Sequence, residues 1–293
     1  MYDSQKKWYS VYGINKNLYV YEFNLISSRR KTMSNNYFDF CENIWGDWLN
    51  NQDTLEQVFE GLFKLKYCPE PYLRFTKPNS ENADVIHFLT SNPGAGDDKI
   101  QTREVFSIED SIIKSDDSYD NNARKIADYY KKNLVGTAKR RINHMDYLAR
   151  KCGYDNFIQI ESIPYHCGEL KHKDALTELI KGSNNSISEY INKTKEYLAD
   201  KNVIAIQGGN GLNIAELNAW RKLQCEIIGL DIDKSEYITI AANEKNKDSV
   251  SLYIQKKNDT IKAICLRAGS NDLPGPAGCD IIATKYTQLK EKI

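Results

Sequence analysis

The chain has 293 residues, 41% hydrophobic and 27% charged, which suits one large or two small globular domains and excludes a disordered chain. Its 40 basic residues balance its 40 acidic ones, so a whole-molecule positive field is excluded and any nucleic-acid binding has to use local patches. No apolar run approaches the roughly 18 residues of a membrane span. The polar stretch from Met1 to Gln5 does not read as a signal peptide. Seven scattered cysteines without a Cys-x-x-Cys pair point to reduced thiols, a cytoplasmic location and no metal site.

Residues 1–80 are rich in Tyr, Phe and Trp and read as an α-rich extension packed on a core domain at 81–293. Alternation around Tyr9 and Tyr12 and over 18–23 suits strands, and Arg29-Arg30-Lys31 is a basic cluster. Residues 37–50 and 53–66 carry helical periodicity. Phe38, Cys41, Ile44, Trp45 and Trp48 share one face, and Leu55, Val58, Phe59, Leu62 and Phe63 share another. That spacing assigns these aromatics to a core rather than to a base-stacking platform. Pro69-Glu70-Pro71 closes the region.

Residues 85–90 are a short buried strand, broken at once by Ser91-Asn92-Pro93-Gly94-Ala95-Gly96. Pro93 cannot continue a ladder, and two glycines let a ligand approach the backbone. Asn92 therefore sits at the carboxyl end of a strand, where open α/β sheets hold their ligands; an ordinary turn has the same appearance. Residues 107–122 are polar and acidic, and 123–132 and 138–151 are helical. In the second helix Lys139-Arg140-Arg141 suits a solvated face better than a phosphate site. Residues 157–160 form a second buried strand running into Glu161-Ser162-Ile163-Pro164-Tyr165-His166. Residues 174–200 are largely helical. Residues 203–206 are a third strand, followed by Gln207-Gly208-Gly209-Asn210-Gly211 and a helix over 213–224. Residues 226–230 suit a fourth strand, 249–255 and 260–267 pair as a hairpin, 268–278 form a Gly/Pro-rich loop, and 280–292 close the chain as a helix.

Strands alternating with helices predict an α/β fold, a three-layer sandwich around a central, largely parallel sheet of about four to five strands. The polar loops at the strand ends would then line one pocket. Gly208-Gly209 can cradle a phosphate at a helix N-terminus. The stretch fits neither a Walker A loop nor the dinucleotide fingerprint, so no cofactor is expected.

The order of these motifs resembles that of the uracil-DNA glycosylase superfamily. Phe88-Leu-Thr-Ser-Asn-Pro-Gly94 is similar to its first motif in the Asn-Pro-Gly form of the mismatch-specific and single-strand-selective branches. Glu161-Ser-Ile-Pro164 resembles the end of the base-reading strand, and Ile264-Cys-Leu-Arg-Ala-Gly-Ser-Asn-Asp-Leu-Pro274 resembles the last motif, whose loop wedges into the minor groove. The resemblance covers about residues 84–293; the cysteine ligands of the iron–sulfur branches are missing.

The resemblance implies that Asn92 holds the attacking water, which an amide can orient without being a strong base. It places Phe106 near the aromatic that stacks on the flipped base, although a core Phe fits equally. Glu161 falls where uracil readers carry an amide. An ionised carboxylate only accepts hydrogen bonds, so it suits the exocyclic amine of cytosine better than the O4 of uracil. Pairing of Glu161 with a Lys or Arg stays open. His166 and Tyr165 are candidate base contacts or plain loop residues. Arg267 or Ser270 stands where the family carries a His, and an Arg there can stabilise charge on a departing base. Gly208, Gly209, Asn271 and Leu273 are the DNA contacts, Leu273 as an apolar plug; a surface turn with Leu273 packed inward is the alternative.

The function so implied is a monofunctional DNA glycosylase that flips out a pyrimidine and excises it hydrolytically, modified cytosine ahead of uracil. No lysine at a motif position suggests a lyase step. Defence against phage with modified DNA is one role it would fit. DNA is the expected partner, with no membrane and no obligate protein partner. Uracil repair, non-catalytic nucleic-acid binding and an enzyme on free nucleosides are the alternatives.

Overall fold

A computed structural model describes residues 36–50, 63–76, 84–91, 93, 100–102, 111–166, 186–209, 214–240, 250–268 and 273–292. These residues run through helix α1 (Tyr37–Asn50), strands β1 (Tyr72–Phe75) and β2 (Val85–Thr90), helices α2 (Tyr119–Asn133) and α3 (Gly136–Lys151), and strand β3 (Asn156–Glu161). Then come helix α4 (Ser186–Leu198), strand β4 (Val203–Gly209), helix α5 (Ile214–Ile228), strands β5 (Glu236–Ile240), β6 (Val250–Lys257) and β7 (Thr260–Ala268), and helix α6 (Pro276–Glu291). The expected strands near Tyr9, Tyr12 and 18–23, the basic cluster at 29–31, residues 53–62 of the expected helix and the start of 174–200 lie outside the described residues; the expected end of that helix, 63–66, is bend and turn instead, held by the turn after β3.

The sheet has seven strands in the order β1-β3-β2-β4-β7-β6-β5, against the expected four to five. It is mixed. β3, β2, β4 and β7 form a parallel centre, while β1 pairs antiparallel to β3, and β6 and β5 add an antiparallel wing beyond β7. The central strands are apolar because both of their faces are covered. Ile86, Phe88, Leu89, Phe157, Ile160, Val203, Ile204 and Ala205 are all buried. On one face His87 meets Tyr197 of α4, which packs with α1 and α5. On the other face α3 and α6 pack together, and Tyr154 reaches Tyr286.

Two strands and one helix depart from the expectation. Residues 226–230 are not a strand, because α5 runs to Ile228 and ends at Gly229, whose φ of 71° is left-handed. Trp220, Leu223 and Ile227 continue one helical stripe, which a five-residue apolar run cannot reveal. β1 and β5 were not expected. β1 follows Pro71 within the N-terminal extension, so part of that extension is woven into the sheet. The β6–β7 hairpin forms as expected, turning at Asn258 with a φ of 53° that Asn tolerates.

Candidate active site

From β2 the chain goes on to β3 on one side, and from β4 it goes on through α5 to β5 at the far edge of the other. Adjacent strands whose onward connections diverge leave a crevice at their carboxyl ends. Here the diverging pair is β2 and β4, which lie in parallel register with Leu89 opposite Ala205. β2 ends at Thr90 and β4 at Gly209 beside that crevice; Gly208 and Gly209, expected in a loop after 203–206, instead extend β4 and pair with Arg267 and Ala268 of β7. Asn92, Phe106, Ser270 and Asn271 lie outside the described residues, as do the side-chain surroundings of the two glycines.

β3 ends beside β2 with Glu161 level with Thr90. The turn after β3 is pinned from both sides. Ser162 and Ile163 donate backbone N–H bonds to Thr90 and Ser91, at 2.8 and 3.0 Å. On the other side the backbone N–H groups of Lys64 and Glu70 bond the carbonyls of His166 and Pro164, at 2.8 and 2.7 Å. Tyr190 of α4 donates to the Glu161 carbonyl at 2.6 Å. The residues preceding β1 therefore form one wall of the site.

Glu161 is 2% exposed. Thr90 Oγ1 lies 2.6 Å from one carboxylate oxygen and Gln159 Nε2 lies 2.6 Å from the other. Burial pushes its carboxyl above the usual range, while the Arg141 charge and the bonds from Thr90 and Gln159 pull it back. Each oxygen keeps a second lone pair. A second buried carboxyl, Glu70, is 3% exposed. Tyr130 donates to its Oε1 at 2.8 Å, Gln101 Nε2 also bonds that oxygen, and His166 Nε2 lies 3.7 Å away. Burial drives Glu70 up to about 8; the Glu161 charge adds to the rise, and Tyr130, Gln101 and Arg141 oppose it.

Arg141 thus acts electrostatically on both carboxyls. This corrects its reading as a solvated helix residue: it is only partly exposed, and its Nε is buried without a hydrogen-bond partner among the described residues. Helix α3 turns that face toward the sheet because Ile142, Met145 and Leu148 anchor it there. The site accordingly couples one cation to two buried acids, with His166, Tyr130 and Gln101 around them. Near neutral pH such a group holds a proton on one acid and offers both donors and acceptors.

His166 and Tyr165 are buried at the expected strand exit; Tyr165 packs on Phe63, and His166 lies beside Tyr67 and Gln101. Leu273 takes the alternative part, packed inward. Arg267 Nη1 donates to the Leu273 carbonyl at 3.1 Å, so the guanidinium ties down the loop. Leu273 is 0% exposed, packed inward rather than projecting as a plug, because the apolar side chain finds cover in the core next to α6. Glu70, Gln101, Tyr130 and Arg141 were not singled out as site residues. The one available signal was Glu70 between two prolines, a carboxyl held in an extended segment with few backbone freedoms.

Among the described residues no group of His, Cys, Asp and Glu is arranged to hold a metal ion, and no helix is long and apolar enough to cross a membrane. A groove of about 500 Å³ between the end of α3 and α6, lined by Lys151, Asp280 and Thr284, lies near the start of β3 and away from the strand ends. No family model, no curated protein and no solved structure matches the chain.

Proposed function

We propose that the chain is a DNA glycosylase that hydrolyses the bond between sugar and base of a flipped-out pyrimidine, with modified cytosine preferred to uracil. The observation that carries this reading is that the sequence Asn92-Pro93-Gly94 follows directly on β2, whose end lies beside β4 at the point where the connections diverge. Within a three-layer α/β/α domain, that is the ligand edge.

Asn92 orients the water that attacks C1′. Glu161 accepts a hydrogen bond from the exocyclic amine of the base through a lone pair that Thr90 and Gln159 leave free. The protonated Glu70 carboxyl and the Arg141 guanidinium supply the donors that the ring nitrogen and O2 of a cytosine require. As the base departs with negative charge on O2, Arg141 stabilises it; Arg267, held by the Leu273 carbonyl, is the weaker candidate for that role. Uracil would set its O4 against the Glu161 acceptor, which costs roughly 1–3 kcal/mol and disfavours it about tenfold to a hundredfold. Excision of bulky cytosines from phage DNA is a role consistent with this preference.

The test is a panel of single- and double-stranded oligonucleotides, each with one altered pyrimidine, scored for alkali-labile abasic sites. Cytosine derivatives are expected to react ahead of uracil, and absence of abasic sites on every DNA would sink the proposal. A second reading, hydrolysis of free nucleosides, is favoured by the inward packing of Leu273 and by the balanced charge. Chromatographic detection of free base from nucleosides, with none from DNA, would establish it.

A further inference from the structure

We infer that the outer wing of the sheet carries a stacking platform for a single-stranded stretch of nucleic acid, built from Tyr237, Tyr253 and Arg221. Tyr237 of β5 stands opposite Tyr253 of β6, and Tyr253 stands opposite Ile264 of β7. All three side chains share the sheet face on which α5 lies. Exposure rises outward along this row: Ile264 is fully buried, Tyr253 is half-buried and Tyr237 is 55% exposed. Helix α5 covers the row as far as β7 and leaves the tyrosines as a step beside it.

The two rings are 4.9 Å apart, and the Arg221 guanidinium lies 5.0 Å over the Tyr253 ring. Arg221 forms no ion pair among the described residues, so its charge remains available to an anion. The Tyr237 hydroxyl lies 2.9 Å from Thr239 Oγ1 and 3.3 Å from Ser251 Oγ, which fixes the ring before any ligand arrives. Rigid aromatic faces beside an unpaired Arg are what bases and phosphates of a single strand require, without regard to sequence.

The platform also lies within a short span of the candidate site. Gln207, at the end of β4, is level with Leu266, Leu266 with Ser251, and Ser251 with Thr239. The wing therefore lies three strand spacings, roughly 14 Å, from the end of β4. At about 3.4 Å per stacked nucleotide, that is about four nucleotides. In this reading, which rests on the proposed action on DNA, the platform holds the strand flanking the flipped base.

The experiment compares binding of fluorescein-labelled single strands of 16 and 3 nucleotides to the full chain by anisotropy at low salt. Tyr237→Ala should weaken the 16-mer about tenfold and leave the 3-mer unchanged, because the short strand does not reach the wing. Tyr237→Phe, which keeps the ring and the fold, should bind within twofold of the unaltered protein. Arg221→Gln should weaken the 16-mer and flatten its salt dependence. Unchanged affinity in Tyr237→Ala, equal loss on both lengths, or binding of a soluble polysaccharide through the same tyrosines in place of DNA would overturn the platform. The two proposals fail separately. Tyr237-dependent binding without excision of any base would sink the glycosylase and keep the platform, and excision without a Tyr237 effect would do the reverse.

Discussion

Replacing Glu70 by Gln removes one titrating proton while keeping an oxygen that can accept from Tyr130 and Gln101. In the native protein the Glu70 carboxyl is pushed from 4.5 to about 8, chiefly by burial. Between those values the folded chain holds a proton that the unfolded chain has lost, so stability falls as pH rises. The contribution is fully present below pH 4.5 and gone above about pH 8. Integrated from pH 5 to pH 9, the loss is about 4 kcal/mol. Glu70→Gln does not titrate. It should match the unaltered protein within about 1 kcal/mol at pH 5 and exceed it by about 3–4 kcal/mol at pH 9. Urea unfolding of both proteins at pH 5, 7 and 9 reads this difference directly. A difference that does not change with pH, or a variant less stable than the parent at pH 9, would refute a buried, proton-holding Glu70.

Arg141→Met should destabilise the fold by roughly 1–3 kcal/mol near pH 8 and by less at pH 5, since a neutral Glu70 no longer needs the cation; the same urea series measures it. Leu273→Ala should cost about 2–5 kcal/mol in unfolding free energy, as expected for a fully buried leucine. It should also slow reaction on duplex and single strands alike, and a loss confined to duplex DNA would restore the plug. Asn92→Ala should lower abasic-site formation by on the order of 100-fold or more with DNA affinity within a few fold, measured in single turnover.

The parts of this chain legible without a structure were those encoded by local pattern. Apolar runs ending in Pro or Gly marked β2, β3 and β4, and two runs across 256–259 marked the β6–β7 hairpin. Helical spacing marked α1, whose Cys41, Ile44, Trp45 and Trp48 are buried. Strand order was not encoded in this way, since pairing of β1 with β3, or of β5 with β6, joins segments whose own sequences are short and ambiguous. The apolar end of α5 was mistaken for a strand because a five-residue run fits either period.

The same division runs through the site. Glu161 stood out because it ends a strand, and its burial at a strand exit follows from that position. Glu70, Gln101, Tyr130 and Arg141 are scattered over seventy positions of the chain and carry no common motif. Only packing of α3 against the sheet, and of residues 63–71 against the turn after β3, brings one cation and two acids out of water together. Charge states in that cluster are set by burial and by neighbours far apart in sequence, quantities that the tertiary structure alone decides. For the same reason Leu273, an apolar residue in a loop, was ambiguous until the core beside α6 was seen to enclose it.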